Sequence, residues 1–547
     1  MKKIIILLPL AIILIIFIAL IKKTEKKEEI KENYLSSTIP QVELYDENLN
    51  KVLELPRGIK IQELETITND SQNYKKVLYE NQEYLVKEEN VNEDIVQEKT
   101  IYVRTPSVLY ENESDGKILS SLKKGEKLEI LGYDKIENGK VNMYKIKHNN
   151  IEGYVYEKYL NQDEMEALKN YDNGYFNIHL NRNDTLGGGD AATLDYYPYE
   201  KETFESNIMP EEVRSLYINV EAIKNIDEYI EYAKTTNINA FVVDIKENTL
   251  PGYKSDVMKN LSPTNYENAI FSVEEYKEAI EKIKKNNFYV IGRITTFKDD
   301  YYAVDNIEDT IYDTRTNEPF NHNDSYWPSA YSRQVWYFNV ELAKEAVTLM
   351  GFNEIQFDYV RFPDRTSDNE QYLDYKNKYK ESKAQAIQNF VMYATDELHK
   401  INTYVSIDVF AECAHQYVTA YGQYLPALSN IADVISPMPY PDHFNEHQYG
   451  IKDIVWTVPY ELIYTWSNNY VNERQKETTT PAKIRTWIQT YDTIRQPYIT
   501  YDNEKISEQI QALYDAGLTD GFITWNSGSS ILKYKSLKDS FDKKYKE

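Results

Sequence analysis

Cysteine and histidine are scarce in this sequence, and their scarcity excludes several kinds of site. The chain of 547 residues has one cysteine, Cys413, so neither an intramolecular disulfide framework nor a cysteine-based zinc cluster can form. Its seven histidines include no His-x-His or His-Glu-x-x-His spacing, which disfavours a zinc hydrolase. From Arg214 onward the sequence also lacks a Gly-x-Ser-x-Gly turn and a phosphate-binding loop. We therefore expect neither a metal nor a cofactor.

Basic residues are also fewer than acidic residues. Lys and Arg together number 62 against 88 Asp and Glu, which gives a formal net charge of −26. Such a surface repels the phosphates of nucleic acid, so no nucleic-acid partner is expected. The length and the hydrophobic content of 41% indicate several domains, with at least one large core.

One long apolar run stands at the N-terminus. Residues 4–21, IIILLPLAIILIIFIALI, are long enough to cross a bilayer, and lysines flank the run on both sides. No small-x-small cleavage site follows it. The sequence therefore predicts a transmembrane signal anchor over 1–23, a single pass through the cell membrane and an extracellular bulk. A cleaved signal peptide and a secreted protein are the alternative.

Two segments that follow a polar linker at 24–39 share a pattern. Short alternating strands separated by Gly and Asn turns predict a small β-barrel in each, over 40–92 and 97–162. The second segment, with RTPSVLYENESDGKILSSLKKGEKLEILG and EGYVYEKYL, resembles the bacterial Src-homology-3-like domain, and the first is a degenerate copy. This resemblance implies binding of cell-wall peptide or polysaccharide, with a structural spacer as the alternative. Residues 163–211 contain a Gly-Gly-Gly run and are interpreted as a linker.

Residues 212–545 alternate short β-rich runs with helical patterns. This alternation is typical of a parallel (β/α)8 TIM barrel, so the predicted fold class is α/β. A doubly wound open sheet is the alternative, but no Gly-rich turn follows the first strand. The eight predicted strands are SLYINVEA, AFVVDIKEN, FYVIGRITTF, EIQFDYVRF, TYVSIDVFAE, DVISPMPYP, KIRTWIQTY and DGFITWNSG.

Polar side chains fall on inward positions near the carboxyl ends of these strands, where TIM-barrel enzymes carry their chemistry. In FDYVRFP a period of two turns Phe357 towards the helices and Asp358 into the barrel, and Asp408 follows the same pattern. A cluster of carboxylates in a concave mouth is an active-site candidate. The alternative is an internal ion-pair network, for example of Asp358 with Arg293 or Arg361.

Carboxylates, arginines and aromatic rings are the functional groups that remain after these exclusions. Aromatic faces stack on sugar rings, and paired carboxylates supply the acid and the nucleophile or base for glycosidic cleavage. In addition, five motifs occur in the order found in a family of TIM-barrel glycoside hydrolases without an established substrate, which the chain resembles over about 212–545. They are FNEIQFDYVRFP, VSIDVFAE, YGQYLPAL, ADVISPMPYPDHF, and VPYELI followed by IRTWIQTYD.

The resemblance, and a more distant similarity to the α-amylase type of barrel, imply the site residues. Asp358 takes the role of nucleophile and Asp408 that of acid and base, with Glu412 as the competing acid. Asp442 stands where the family usually has Ser, which adds a carboxylate near the mouth. The predicted substrate-binding residues are Asp244, Lys246, Arg293, Arg361, Tyr440, Asp442, His443, Arg485, Trp487, Gln489, Trp525 and Asn526.

The predicted function is that of a membrane-anchored, extracytoplasmic glycoside hydrolase acting on a cell-envelope or extracellular polysaccharide, such as a peptidoglycan-like glycan. A non-catalytic wall-binding protein is the alternative. A distance of about 5 to 10 Å between the carboxyl groups of Asp358 and Asp408 across an open cleft favours catalysis. Direct pairing of these groups with arginines favours the ion-pair network.

The first testable prediction concerns the anchor. Because the apolar run lacks a cleavage site, we expect the full-length protein in the membrane fraction, with its C-terminus accessible to protease added from outside. Cell fractionation and protease protection measure both properties. Mature protein in the culture medium with an N-terminus near Thr24 would contradict the prediction.

Overall fold

The computed structural model describes residues 34–545 except 40, 70–71, 94–98, 135 and 138–139. The predicted anchor over 1–23 lies outside the described residues, as does most of the linker at 24–39. Within the described ranges, no helix is both long and apolar enough to span a membrane. These residues form two compact units, one made of 34–101, 128–147 and 156–158, and the other of 102–127, 148–155 and 159–545.

The first unit is built from antiparallel strands. Val42 and Leu44 alternate with more exposed residues along one strand and bury the inner face of the sheet. The strands of 128–147 pair with each other in two ladders, Lys127–Tyr133 with Met143–His148 and Ile136–Glu137 with Lys140–Val141. The sheet of 34–92 runs in the order Lys51–Pro56, Gln41–Tyr45, Gln82–Lys87, Gln72–Tyr79, Ile61–Asn69, Tyr34–Ser37 and Val91–Asn92.

The second unit begins with further antiparallel strands. Ser107–Tyr110 pairs with Ile118–Leu122 and Ile151–Tyr156, and Leu160–Asn161 pairs with Thr100–Val103. Small antiparallel sheets therefore occupy both predicted β segments, and their correspondence to Src-homology-3-like domains remains a prediction.

Residues 102–127 pack against two helices of the barrel, Arg333–Met350 and Lys383–His399. Arg333 Nε donates to Ser121 Oγ at 2.7 Å, and the hydroxyl of Tyr393 donates to the carbonyl of Gly116 at 2.8 Å. Residues 163–211 pack on the barrel as well, since Arg182 forms a two-pronged ion pair with Glu477. The barrel is therefore braced from outside by the chain that precedes it.

The barrel confirms the predicted α/β class. Nine parallel strands form a nearly closed ring, where eight were predicted. Seven of the predicted runs each form one strand, and the remaining run is split at Arg485 into Lys483–Ile484 and Thr486–Gln489. Because Lys483–Ile484 pairs with Val434–Met438, and Thr486–Gln489 pairs with Gly521–Trp525, the ring closes around the split. In the described chain the strands are β1 (Val213–Ile218), β2 (Ala240–Glu247), β3 (Tyr289–Thr295), β4 (Glu354–Asp358), β5 (Tyr404–Phe410), β6 (Val434–Met438), β7 (Lys483–Ile484), β8 (Thr486–Gln489) and β9 (Gly521–Trp525).

Helices begin at capping residues that the sequence supplies. Ser272 and Glu275 form a capping box for Val273–Lys285, and Ser382 and Gln385 do so for Lys383–His399. The α-helices of 159–545 are Glu164–Leu168, Phe176–Leu180, Ile226–Ala233, Asp256–Leu261, Pro263–Asn268, Val273–Lys285, Asp300–Asp305, Arg333–Met350, Lys383–His399, Leu425–Ser429, Pro459–Trp466, Asn472–Lys476, Asn503–Asp515, Ile531–Ser536 and Lys538–Asp542.

Side chains from several strands fill the barrel interior, which is a packed core. Val213, Tyr217, Ala240, Val242, Tyr289, Ile291, Tyr440, Trp487 and Ile523 form one buried cluster. Polar residues share this interior, since Gln356 Nε2 of β4 donates to Ser436 Oγ of β6 at 3.1 Å. The residues predicted to face inward on β4 therefore do so, which places Asp358 at the carboxyl end of the barrel.

The second prediction concerns the closure of the ring at Gly521. Its φ of 107° is disfavoured for other residues, and a Cβ there would lie 2.0 Å from the carbonyl oxygen of Val213 on β1. We expect Gly521→Ala to lower the free energy of unfolding by about 2 to 4 kcal/mol, as measured by urea denaturation.

Gly528→Ala is the matched control. A Cβ at Gly528 would meet its nearest atom, Asn526 Oδ1, at 3.8 Å, so this variant should unfold at nearly the wild-type urea concentration. Equal stability of the two variants would contradict the importance of the close approach between β9 and β1.

Candidate active site

Arg293 gathers four carboxyl groups at the carboxyl end of the barrel. Its Nη1 lies 2.7 Å from both Asp244 Oδ1 and Glu247 Oε2, and its Nη2 lies 2.5 Å from Asp358 Oδ2. Its Nε lies 3.8 Å from Asp408 Oδ2. The side chains come from β2, β4 and β5, so one buried guanidinium on β3 holds together residues that are distant in sequence.

The four carboxyl groups differ in their contact with solvent. The exposed fraction of the side chain is 26% for Glu247, 8% for Asp358, 1% for Asp244 and 0% for Asp408. A ligand that enters from solvent therefore meets Glu247 and Asp358 first. Asp244 and Asp408 lie behind them, where they act on the ligand through their neighbours or after a local opening of the site.

The surroundings of Asp408 favour its protonated form. Burial raises the pKa of Asp408 well above its usual value, and the charge of Asp358 raises it further. Arg293 and the hydrogen bond from Trp487 Nε1 to Oδ1, at 2.7 Å, oppose this shift only in part. Oδ2 accepts no hydrogen bond from the residues that the structure describes. Within the described chain, Oδ2 is therefore the oxygen of Asp408 that is not occupied by a hydrogen bond.

Asp244 and Glu247 share Nη1 of Arg293 but respond differently. Burial raises the pKa of Asp244 to about 6, although Arg293 and the hydroxyl of Tyr217, 2.5 Å from Oδ2, favour its ionised form. Burial is the largest single influence on Glu247 and disfavours its charge. The charge of Arg293 and the hydrogen bonds from the Asn248 amide and from Arg293 together outweigh it and lower the pKa of Glu247. Glu247 is thus the more strongly ionised of the two.

Aromatic rings border the carboxyl groups. The ring of Trp525 lies 4.8 Å from that of Tyr217 and 5.5 Å from that of Trp487, and it stacks on Tyr440 at 6.2 Å with an angle of 18°. Trp525 is partly exposed, whereas the other three rings are buried. The predicted residues Tyr440, Trp487 and Trp525 are therefore brought together, and Trp487 acts on the site by its hydrogen bond to Asp408.

The prediction that Lys246 faces the mouth beside Asp244 is wrong. The pairing of β2 with β3 shifts between Asp244 and Lys246, so one extra residue interrupts the alternation of sides. Lys246 consequently turns outward, where its ammonium lies 2.8 Å from Asp299 Oδ2 and donates to the carbonyl of Thr295. The same shift turns Glu247 inward to Arg293.

Arg485, also predicted for the mouth, lies at the opposite end of the barrel. Its Nη1 donates to Glu354 Oε1 at 2.7 Å, and both side chains are fully buried. Glu354 is the first residue of β4 and Asp358 the last. This ion pair therefore neutralises the amino-terminal end of the interior, away from the carboxyl groups at Arg293.

Arg361 does not provide the partner expected for Asp358. Its Nη1 lies 3.0 Å from Asp364 Oδ1, and its guanidinium carbon lies 4.3 Å from the centre of the Phe410 ring. Arg293 takes the position beside Asp358 because it projects inward from the adjacent strand, whereas Arg361 follows the end of β4 and turns over the rim.

The loops after β6 and β8 are joined through Asp442. Its carboxylate accepts hydrogen bonds from the Tyr491 hydroxyl at 3.0 Å and the Ile494 amide at 3.1 Å, and its own amide donates to Gln489 Oε1 at 3.3 Å. The carboxylate predicted to alter the mouth is thus buried and holds two loops together. His443 beside it is exposed.

Two further candidates are engaged in other contacts. Glu412 accepts hydrogen bonds from the hydroxyls of Tyr417 at 3.1 Å and Tyr421 at 2.8 Å, so both of its oxygens are bound away from Arg293. Asn526 Nδ2 donates to the carbonyl of Thr490 at 3.4 Å and joins the ends of β8 and β9. Of the two carboxylates considered for the acid, Asp408 is the one near Asp358.

Glu247 is the residue of the site that the period-two pattern missed. Counting inward positions from Asp244 selects Lys246, and only the extra residue in β2 reverses that choice. The charged residues of DIKE at 244–247, which end the predicted strand, are the sequence signal from which Glu247 could have been identified.

No group of three metal-ligating side chains occurs in the described ranges, and the Arg293 guanidinium fills the space that a cation would take among the carboxylates.

Comparisons with known proteins identify a family. Residues 215–531 match the family described as "Putative glycosyl hydrolase domain", which covers more than half of the chain. No curated protein matches the sequence.

Several solved structures are similar in part. A hypothetical protein from Ruminiclostridium thermocellum ATCC 27405 shares 28% identity over 36% of this chain and 97% of its own, with a TM-score of 0.30. The PgaB (BpsB) glycoside hydrolase domain from Bordetella bronchiseptica shares 12% identity over 61% and 99%, with a TM-score of 0.42. A class V chitinase from Pseudomonas fluorescens Pf-5 shares 11% over 60% and 99%, with a TM-score of 0.38. All three TM-scores are low, so neither substrate nor mechanism follows from them.

The third prediction concerns the charge of Arg293. Replacing it by Met leaves its carboxylate neighbours without their buried cation, so we expect Arg293→Met to lower the free energy of unfolding by about 3 to 5 kcal/mol near pH 8. Without the cation, the pKa values of these groups in the folded state rise above those in the unfolded state. The folded variant then binds more protons, and its stability increases as the pH falls towards 5.

Urea denaturation at both pH values measures this effect. Arg365→Met is the control, because the Arg365 side chain is 90% exposed and its loss should change stability little at either pH. If Arg293→Met were as stable as the wild type at pH 8, the role of Arg293 as the centre of the site would be refuted.

Proposed function

The chain belongs to the family described as a "Putative glycosyl hydrolase domain" and is a glycoside hydrolase, and on that premise we propose that it cleaves a cell-envelope or extracellular polysaccharide through Asp358 and Asp408. One observation carries the assignment of these residues. Two carboxyl groups on neighbouring strands approach one guanidinium, yet one pairs directly with it and keeps 8% of its side chain exposed, while the other is fully buried and favours its proton. Unlike environments of this kind give two carboxyl groups different roles.

The direct pairing of Asp358 with Arg293 is also the arrangement expected of a structural ion pair in a non-catalytic barrel. Membership of a hydrolase family favours the catalytic interpretation. The pairing is compatible with catalysis, because the Arg293 guanidinium at 2.5 Å holds the Asp358 carboxyl group in a fixed orientation. Only 8% of the Asp358 side chain is exposed, and its Oδ1 accepts a hydrogen bond from the Tyr359 amide, so attack requires that substrate binding widens the opening beside it.

The proposed roles follow from these environments. Asp358 acts as the nucleophile, or as the base that activates water. Asp408 donates its proton to the oxygen of the leaving sugar. Since the Asp408 side chain is fully covered in this structure, donation requires that substrate binding opens the site beside it. Trp525, the partly exposed ring next to the carboxyl groups, offers a face on which a sugar ring stacks.

The location is part of the proposal. We infer an extracytoplasmic enzyme held at the cell membrane by the apolar run at 4–21, or secreted if that run is cleaved. The small antiparallel sheets before the barrel, which resemble Src-homology-3-like domains in sequence, would then lie near the wall and hold peptide or polysaccharide. A peptidoglycan-like glycan is the substrate that this arrangement favours.

The proposal is tested first by a search for substrate. The full-length protein in detergent is incubated with purified wall glycans and extracellular polysaccharides, and new reducing ends are measured. We expect cleavage of at least one glycan by the wild type. Hydrolysis of none of them, at any pH between 5 and 8, would leave the non-catalytic wall-binding protein as the better account.

The fourth prediction assigns the two roles. We expect Asp358→Asn to reduce hydrolysis by ~10³-fold or more with the fold intact. Asp408→Asn should do the same on glycans, but it should retain much more activity on aryl glycosides with good leaving groups, which need little acid assistance. Initial rates on both kinds of substrate measure this difference.

Glu412→Gln is the control, since Glu412 is bound by two tyrosines elsewhere. It should hydrolyse the glycan at a rate within a few-fold of the wild type. Wild-type rates for both Asp variants, or a loss of activity confined to Glu412→Gln, would refute the assignment. Circular dichroism of each variant excludes unfolding as the cause.

A further inference from the structure

We propose that Glu247 is a substrate-binding residue that makes the site selective against anionic sugars. This inference rests on the proposed function and adds the class of substrate, which is an uncharged or amine-bearing glycan. Glu247 is the carboxyl group at Arg293 with the largest exposed fraction, 26%, and it stands at the carboxyl end of β2, where TIM barrels bind their ligands.

The shape of β2 fixes this position. The extra residue between Asp244 and Lys246 turns Glu247 towards the interior and to Arg293. Such irregularities commonly redirect a side chain next to an active site. Among the residues that the structure describes, each oxygen of Glu247 has one partner, since Oε2 accepts from Arg293 at 2.7 Å and Oε1 from the Asn248 amide at 3.0 Å. A carboxylate oxygen can accept two hydrogen bonds, so both oxygens retain capacity for a hydroxyl or ammonium group of a ligand.

Glu247 and Asp358 also lie close enough to contact the same sugar. One guanidinium binds both, which limits the distance between the bound oxygens to roughly 8 Å. This limit is compatible with the spacing of carboxyl groups that flank a scissile glycosidic bond. Glu247 therefore belongs to the binding site of the sugar next to Asp358.

The charges around this opening sum to a negative value. Glu247, Asp358 and, above about pH 6, Asp244 are negative, against Arg293 and the nearby Lys298, whose ammonium lies 5.0 Å from the centre of the Tyr359 ring. Other cations of the barrel are neutralised by their own partners, as Lys246 is by Asp299 and Arg361 by Asp364.

This balance has a consequence for the ligand. A uronate or phosphate group entering beside Glu247 meets net repulsion in a partly desolvated site, whereas an ammonium group is attracted and a hydroxyl is accepted. Glu247 bears this selectivity because its charge is the one most open to the ligand.

Binding of three sugars that differ in charge tests the inference without any cleavage. Glucose, glucosamine and glucuronate share one ring configuration, and their affinities for the full-length protein at pH 7.5 are measured by saturation-transfer NMR. We expect glucosamine and glucose to bind, and glucuronate to bind at least ~10-fold more weakly than glucosamine. In Glu247→Gln this ratio should fall to within about threefold, whereas Glu247→Asp, which keeps the charge, should largely preserve it.

Glu278→Gln provides the same change in net charge at a surface position, where the side chain is 72% exposed, and should leave the ratio unchanged. Equal responses to the three sugars, including no response to any of them, would overturn the inference. So would a Glu247→Gln variant that keeps the wild-type ratio. Since no bond is broken in these measurements, selective binding by a protein that cleaves no glycan would refute only the proposed function.

Discussion

The ion-pair cluster around Arg293 is the interaction on which the organisation of the mouth depends. One guanidinium on β3 meets carboxyl groups from β2, β4 and β5. Buried carboxylates without a cation would be costly, and a buried arginine without them equally so. The cluster therefore fixes the ends of four strands relative to one another. It also creates carboxyl groups in unlike environments, since Asp358 pairs directly with Arg293 and keeps a small exposed fraction, whereas Asp408 is fully covered and favours its proton.

The barrel keeps two charged layers apart. Glu354 and Arg485 neutralise each other at the amino-terminal end, and the cluster at Arg293 occupies the carboxyl end. Apolar and aromatic side chains fill the interior as well, among them Trp487, whose indole reaches Asp408. The side chains at the mouth are therefore held in position by the packed interior beneath them and by hydrogen bonds such as that of Trp487 to Asp408.

The sequence predicted the fold better than it predicted the contacts of the site. Alternation of strand and helix patterns predicted eight barrel strands, of which seven are found and the eighth is split into two, and a period of two correctly turned Asp358 inward and Phe357 outward. That period fails wherever a strand carries an extra residue, as β2 does, and so Lys246 was chosen in place of Glu247. Position along the barrel axis was the second difficulty. Arg485 and Trp487 face the same interior, but Arg485 pairs with Glu354 at the amino-terminal end, and only Trp487 reaches a carboxyl group of the Arg293 cluster.

Which arginine pairs with Asp358 could not be read from sequence, because proximity along the chain favours Arg361 while proximity across the sheet favours Arg293. Infrared difference spectroscopy at neutral pH tests whether Arg293 pairs with Asp358 next to a protonated Asp408. We expect a carbonyl stretch of a protonated carboxylic acid in the wild type that is lost in Asp408→Asn. If that variant loses only the bands of an ionised carboxylate, the account is contradicted.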